Sequence, residues 1–370
     1  MISPVLRWLF GCFTFALGAI SPAPSHGVVV GVNVVNPQRL SQADRAAVIE
    51  QLQMAEVNVI RVPLAPPWSG ADYRPAIDFV RSAYQRGIKT DLIISLQYRE
   101  GARRRPAVRD LPNMWSSYLL SDADAAQFRA MFEPLFNELE GGGITLAALE
   151  LGNEINWAGF NGDFLIPGEG RVFGREEFDH DPEARQVTEG FGAYLRTLSV
   201  LKDLRDHSRL NRETPILSAG LADPGSAGPR PGVKSDAVTI TATLRYLREN
   251  GVDALVNAYG VHTYPWAKAA AARRNQLAED TFAECRSPAH GKPCWLTEWG
   301  LPADGPGCRG NDAPRTALMQ DMLIDFRPFV REGRLNGLLY YAWADDKYGI
   351  YRCGAVTASG RVALNPKILE

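Results

Sequence analysis

Short apolar runs alternate along this chain with longer segments in which apolar residues recur three and four positions apart. The short runs read as buried strands. They are Val28 to Val34, Val57 to Val62, Lys89 to Leu96, Leu146 to Leu151, Pro215 to Ala219, Ala258 to His262, Pro293 to Glu298 and Gly337 to Ala342. The longer segments read as amphipathic helices, the clear ones being Ala43 to Ala55, Pro75 to Gln85, Ala123 to Leu139, Arg185 to Asp206, Ala237 to Glu249, Ala271 to Cys285 and Ala313 to Arg331. Ser41 stands before the first helix as an N-cap, and Gly87 follows Gln85 as a C-terminal stop. Strand and helix in strict alternation are the signature of a parallel sheet, and eight such pairs or near-pairs predict a single-domain (β/α)8 TIM barrel over residues 26–370. An open doubly wound sheet competes with it. Against that architecture, the first strand runs into Asn33-Val34-Val35-Asn36-Pro37 rather than a glycine-rich phosphate turn. There is no internal repeat or interdomain linker, and Pro224 to Lys234 fits a loop after the fifth strand.

Two connections, Gln97 to Asp122 and Trp157 to Pro182, are too long to be mere links. Both follow strand ends, so in a barrel both stand on the face where catalytic groups are displayed.

Composition is that of an ordinary globular protein: 370 residues, 45% hydrophobic and 22% charged. A formal charge of −2 and a pI near 6.3 leave no broad basic field, which argues against nucleic acid as a partner and favours an uncharged or weakly charged substrate. At the N-terminus, Arg7 precedes an apolar stretch from Trp8 to Ile20 and then the small residues and prolines of Ser21-Pro22-Ala23-Pro24-Ser25. That stretch is shorter than the roughly 20 apolar residues of a membrane span. Residues 1–25 therefore read as an export signal cleaved near Ser25, giving a secreted or periplasmic protein with no membrane attachment once the signal is removed. An uncleaved anchor is the alternative. Removal of the signal takes away Cys12 and leaves Cys285, Cys294, Cys308 and Cys353. Of their three possible pairings, Cys285 with Cys294 and Cys308 with Cys353 are favoured, the second bracing the rim of the site. The spacings contain no CxxC element, which disfavours zinc.

The chemistry-bearing residues are two glutamates. Glu154 ends the run Leu149-Glu150-Leu151-Gly152-Asn153-Glu154, and Glu298 ends Pro293-Cys294-Trp295-Leu296-Thr297-Glu298. Two carboxylates displayed past the C-terminal ends of buried strands are what glycosidic-bond cleavage requires, one protonating the leaving oxygen and the other attacking or stabilising the anomeric centre. No metal or cofactor is demanded: neither HExxH nor the Gly-x-Ser-x-Gly elbow of serine hydrolases occurs.

With an Asn-Glu pair after the fourth strand and a Glu after the seventh, the chain resembles the retaining glycoside hydrolases of clan A over nearly its whole exported length. The resemblance implies that Glu154 is the acid/base and Glu298 the nucleophile. It implies Arg61, on the second strand in Val59-Ile60-Arg61-Val62-Pro63, beside the nucleophile, and Asn153 on the sugar 2-hydroxyl. In Gly260-Val261-His262-Thr263-Tyr264 it implies a tyrosine bonded to the nucleophile and a histidine lining the sugar site. Trp343, in Tyr341-Ala342-Trp343-Ala344-Asp345, matches the tryptophan that floors the cleaved sugar. Trp299, next to Glu298, is counted with these substrate-binding residues. Two strands depart from the pattern: at the end of the third, Gln97 stands where many members have a histidine, and on the first, Asn33 and Asn36 carry no family signature.

These readings predict an exported enzyme cleaving a β-linked polysaccharide or oligosaccharide by double displacement, endo-acting because long loops suggest an open groove. Tyr98, Trp115, Tyr118, Trp157, Phe160, Phe164 and Phe173 are the loop aromatics available to stack on sugars or to pack the loops against the barrel, and Arg103, Arg104, Arg105 and Arg109 are cations that could greet an acidic polymer, although a run of arginine is more often a solvated face. An exo-β-glycosidase, a transglycosylase on the same barrel and a non-catalytic carbohydrate-binding barrel are the alternatives. Nothing in the sequence speaks to oligomeric state.

Overall fold

The structure is a computed structural model that describes residues 27–64, 73–107, 117–264, 271–286, 291–303 and 311–370. The export signal, Cys12, Trp115, Arg109 and Cys308 lie outside the described residues.

Eight parallel strands form the sheet: β1 Val29–Asn33, β2 Val59–Pro63, β3 Lys89–Ile94, β4 Ala148–Leu151, β5 Ile216–Leu217, β6 Tyr259–Thr263, β7 Cys294–Trp299 and β8 Leu335–Tyr340. They neighbour one another in chain order, with β8 also pairing β1. The parallel bridges Leu217 to Ala258 and Leu221 to Val261 close β5 onto β6. Around this barrel lie α1 Gln42–Met54, α2 Arg74–Gln85, α3 Ala125–Gly141, α4 Pro182–Asp206, α5 Ile240–Glu249, α6 Ala271–Phe282, α7 Ala313–Arg331 and a short α8 Ala358–Ala363. All eight expected strands and seven expected helices are present, so the chain is a single (β/α)8 barrel.

The helix ends differ from expectation where capping decides. Ser41 caps α1 as anticipated, accepting from the Asp44 amide at 3.1 Å. In α4 the helix begins three residues earlier than its apolar period, because Asp181 accepts from the amides of Glu183 and Ala184 and Pro182 fits the first turn. In α5 it begins later: Ala237 and Val238 pair with Val172 and Phe173, and Thr239 becomes the cap.

Strand alternation divides the apolar side chains into two populations. Ala148, Leu217, Ala258, Trp295 and Leu339, with Val29 and Val59, fill the barrel interior, while a much larger cluster lies between strands and helices. Gly337 makes room for the interior indole: a Cβ there would sit 2.4 Å from Trp295 Cδ2. Above this apolar plug the interior becomes polar, with Arg61, Asp91, Glu150, Thr297 and Asn33 all buried.

The described residues of the two long connections carry regular structure of their own. After β3, Arg104–Arg105 pairs with Ser117–Tyr118 as a small antiparallel hairpin. After β4, Arg171–Phe173 is the middle strand of a three-stranded sheet whose other members, Gly228–Pro229 and Ala237–Val238, follow β5. The arginine run is largely committed to this framework. Arg103 donates from its backbone and guanidinium to the buried Asp122 at 2.8–3.0 Å. Arg105 donates to the carbonyls of Asn161 at 3.2 Å and Phe164 at 3.0 Å and to that of Ala158, clamping the loop that leaves the fourth strand. Each such charge-assisted bond contributes about 1.5–3 kcal/mol, and desolvation of the guanidinium offsets much of the sum, so Arg105→Leu should lower stability by roughly 2 kcal/mol or more and open the 157–182 segment to proteolysis first. Limited proteolysis with cleavage-site mapping reads this, and an unchanged digestion pattern would remove Arg105 as the clamp.

A disulfide joins Cys285 to Cys294 across a Cα separation of 5.4 Å, tying the chain after α6 to the start of β7. The companion pair expected for Cys353 involves Cys308, outside the described residues. Among the described residues no helix is long and apolar enough to cross a membrane.

Candidate active site

The fourth strand ends at Leu151 and the chain turns through Gly152 (φ 79°) and Glu154 (φ 45°). A left-handed backbone at a glutamate is strained by of order 1–3 kcal/mol and is held only where the surroundings impose it. Here the Glu154 amide donates to the Gly220 carbonyl at 2.8 Å and Asn153 bridges to Gly220, so the end of the fifth-strand segment dictates the turn. Glu298 comes from β7, whose pairing register slips against both neighbours near its end. The slip breaks the period-two alternation locally. Thr297 and Glu298 consequently both reach polar partners in the interior: Thr297 Oγ1 donates to Glu150 and Glu298 accepts from Arg61.

A carboxylate oxygen of Glu154, one of Glu298 and a ring nitrogen of His262 all lie within 4.8 Å of one another. Arg61 Nη1 donates to Glu298 Oε1 at 2.5 Å and the Tyr264 hydroxyl donates to Oε2 at 2.5 Å. His262 Nδ1 bonds Glu154 Oε1 at 2.9 Å. Asn153 accepts from Arg61 Nη2 at 3.1 Å; since a guanidinium only donates, the amide oxygen faces Arg61 and the NH2 is left for a ligand. Six expected residues, Arg61, Asn153, His262, Tyr264, Glu154 and Glu298, are thus brought to one place.

Proton affinities diverge across the pair. Burial raises the Glu154 carboxyl above the ordinary range and repulsion from Glu298 adds to this, outweighing the bond from His262. Burial pushes Glu298 the same way, but His262, Arg61 and Tyr264 together overcome it and leave Glu298 lowered. The Tyr264 hydroxyl is raised well above its usual value, by burial first and by Glu298 second, so it stays a donor. Environments that split two neighbouring carboxyls in this way set up one acid and one anion.

Both tryptophans expected at the site are elsewhere. Trp299 is fully buried on the opposite face of β7 from Glu298, its ring edge-on to Phe326 of α7 and Tyr340 of β8 at 5.9 and 5.1 Å. Strict alternation from Trp295 and Thr297 would turn Trp299 inward; the slip that brings both Thr297 and Glu298 inside shifts the period by one and sends Trp299 into the helix layer. Trp343 is 1% exposed, stacked on Tyr351 at 5.0 Å with its Nε1 3.4 Å from Gln51 of α1. Strand β8 ends at Tyr340, and beyond it alternation no longer assigns a face. Besides Tyr264, the aromatic residue that reaches the carboxylates' surroundings is Tyr341, packed edge-on to Tyr264 at 6.1 Å and Tyr348 at 5.9 Å. Its hydroxyl is raised by burial and then by Glu298. Of the loop aromatics, Phe164 and Phe173 are core residues, Tyr98 stacks on Tyr118 at 4.6 Å, and Phe160 remains 40% exposed against Trp157.

The layer beneath the carboxylates was not anticipated. Glu150 takes Arg61 bidentately, at 2.7 Å from Nε and 2.9 Å from Nη2. Asn33 accepts from Arg61 Nη1 at 2.8 Å and donates to the Thr297 carbonyl at 2.9 Å, giving the first-strand asparagine a role. A signal for Glu150 and Asp91 existed in the sequence: each is a charge in the middle of a buried apolar strand, where an unpaired charge is excluded. Gln97 is buried and donates to the Ser95 carbonyl at 3.3 Å.

Glu154, His262 and Glu298 are also the group of metal-ligating type among the described residues. Three of their ligating atoms are already engaged, by His262 itself, Arg61 and Tyr264, so a cation would have to displace those bonds.

No protein-family model and no curated protein matches the chain in sequence. Solved structures do match it in shape. A fungal β-1,4-galactanase aligns over 90% of this chain and 99% of its own with a TM-score of 0.56 at 13% identity. The catalytic domain of the major endoglucanase of Xanthomonas campestris pv. campestris aligns over 93% and 98%, with a TM-score of 0.54 at 15% identity. The endo-1,4-β-mannanase of Rhizomucor miehei aligns over 92% and 94%, with a TM-score of 0.51 at 11% identity. At such identities what is shared is architecture: the chain has the (β/α)8 fold of these polysaccharide-cleaving enzymes across essentially their full length.

Proposed function

We propose that the protein is an exported retaining glycoside hydrolase that cleaves a β-linked polysaccharide by double displacement. The observation that carries this reading is the Glu154–Glu298 pair, with carboxylate oxygens within 4.8 Å and proton affinities split in opposite directions. A retaining site holds its carboxyl groups about 5–5.5 Å apart, whereas an inverting site needs roughly 6.5–9.5 Å to admit the attacking water. Glu298 attacks the anomeric carbon as the glycosidic C–O bond breaks, and Glu154 gives its proton to the leaving oxygen. Glu154 then takes a proton from water, which displaces Glu298 and restores both groups. Asn153 offers its NH2 to the sugar, and Tyr341 supplies the apolar ring face that Trp343 was expected to provide. Internal cleavage is supported by the galactanase, endoglucanase and mannanase that share the barrel and by the two braced loops after β3 and β4. Export is supported by the Cys285–Cys294 bridge, since disulfides persist in oxidising compartments.

The test is to incubate the purified mature protein with β-glucans, mannans, xylans, galactans and bacterial exopolysaccharides, following product length by mass spectrometry and the first-formed anomer by NMR. Shortened oligomers released in the β configuration are expected. Products of inverted configuration would remove the double displacement.

The pH profile follows with its sign. Glu154 must be protonated in the first step and its affinity is raised, so activity falls as pH rises through that value. Glu298 must be ionised and its affinity is lowered, so activity persists below the ordinary glutamate range and falls only in stronger acid. A bell-shaped kcat/KM is expected. Glu154→Gln should erase its alkaline limb and lower kcat by about 10²–10⁴.

A further inference from the structure

Asp91 lies on β3 in register with Arg61 on one side and Ala148 on the other, fully buried. Neither of its carboxyl oxygens receives a hydrogen bond. Arg61 Nε is 4.0 Å from Asp91 Oδ2, but that N–H is directed at Glu150 Oε2, 2.7 Å away. Glu150, in contrast, accepts from two guanidinium nitrogens of Arg61, from the Gly220 amide at 2.9 Å and from Thr297 Oγ1 at 3.3 Å. The neighbour left to Asp91 is the Glu150 carboxyl, itself an acceptor. A bond between two carboxyl groups needs a proton, and burial together with the adjacent Glu150 raises Asp91 well above the carboxylate range. Charge counting agrees. With Asp91, Glu150 and Glu298 all ionised around the single guanidinium of Arg61, two negative charges would be uncompensated in the barrel interior, at several kcal/mol per ion.

We propose that Asp91 is a permanently protonated carboxylic acid that donates a hydrogen bond to Glu150, and that this pair is the positioning device holding Arg61 against Glu298. The catalytic meaning of the device rests on the glycosidase reading; the protonated pair does not. Its logic is competition for one cation. When Asp91 shares its proton, the Glu150 charge is spread over two carboxyl groups and Arg61 retains attraction for Glu298. Without that donor, Glu150 draws more fully on Arg61 and Glu298 holds its proton more tightly. The other ionisable groups facing this cluster are Tyr194 from α4, near Glu150, with Glu154 and His262 above Glu298.

Infrared difference spectroscopy on the mature protein, with no substrate, tests the pair directly. A carboxylic-acid carbonyl band should be present at neutral pH, persist into the alkaline range and vanish in Asp91→Asn. Titration of isotope-labelled Glu298 should then show its pKa raised by roughly half a pH unit or more in Asp91→Leu, a fraction of the about 1–3 units an adjacent cation supplies. Asp91→Asn keeps a donor and should restore the wild-type value. Absence of the band, or a Glu298 titration displaced as far in Asp91→Asn as in Asp91→Leu, would overturn the proposal. Should Asp91→Leu not fold, the band and the Asp91→Asn titration decide it. A protein with the band but silent on every glycan would sink the hydrolase reading and leave the pair standing; an active hydrolase without the band would do the reverse.

Discussion

Glu298→Gln is expected to lower kcat by on the order of 10⁵, about 7 kcal/mol of transition-state stabilisation, while the protein melts within a few degrees of wild type. The two halves of this result have separate causes. An amide cannot form the glycosyl ester, so the covalent route is closed outright rather than slowed. The fold is spared because the amide oxygen still accepts from Arg61 Nη1, Tyr264 can reverse its hydroxyl toward the NH2, and the repulsion between Glu298 and Glu154 disappears. Steady-state kinetics and thermal unfolding on one preparation give both numbers. A folded variant retaining more than a few per cent of activity would take the nucleophile role away from Glu298.

Arg61→Met should be the opposite kind of variant, damaging stability and activity together. Arg61 is 1% exposed and donates to Glu150, Glu298, Asn33 and Asn153 at 2.5–3.1 Å. Removing one partner of a buried ion pair costs about 3–5 kcal/mol, because the other charge is left uncompensated. For a domain of this size that corresponds to a melting temperature lower by roughly 10 °C. Activity falls with it, since Glu298 loses one of the three groups that keep it ionised, and the acid limb of the pH profile moves up. Arg61→Lys should rescue little: one ammonium cannot reproduce a bidentate fork to Glu150 while also reaching Glu298. Differential scanning calorimetry and a pH profile of Arg61→Lys check this, and a melting temperature unchanged in Arg61→Met would show the network to be energetically idle.

Stability and catalysis meet at one guanidinium, which explains which residues were legible beforehand. Glu154 and Glu298 stand at or just past strand ends, and there local sequence carries the information: an apolar run states where the strand lies, and its end states which residue is displayed. Arg61, Asn153, His262 and Tyr264 were expected from the family resemblance, and barrel closure sets them against the two glutamates. The resemblance also named Trp343, and adjacency to Glu298 named Trp299; the structure places both rings away from the carboxylates. Position next to a catalytic residue along the chain says nothing of face. The register slip in β7 turned Trp299 toward Phe326, and the chain beyond Tyr340, no longer a strand, carried Trp343 to Gln51 and left Tyr341 at the site. Arg103 and Arg105 are a different case: their charges fitted a solvated face or an acidic ligand, and the structure engages them with Asp122 and three backbone carbonyls instead.

By itself, then, the order of apolar runs and helical periods determined the barrel, the count of its strands and which ends carry the two glutamates, because these depend on local periodicity and on chain order. Only the tertiary structure decided the approach of Glu154 and Glu298 to within 4.8 Å, the split in their proton affinities, and the Asp91–Glu150–Arg61 layer beneath them. Those properties arise from barrel closure, which sets residues 28 to 237 positions apart in hydrogen-bonding contact inside a low-dielectric interior. A carboxyl group's proton affinity belongs to its surroundings, and no stretch of sequence contains the surroundings.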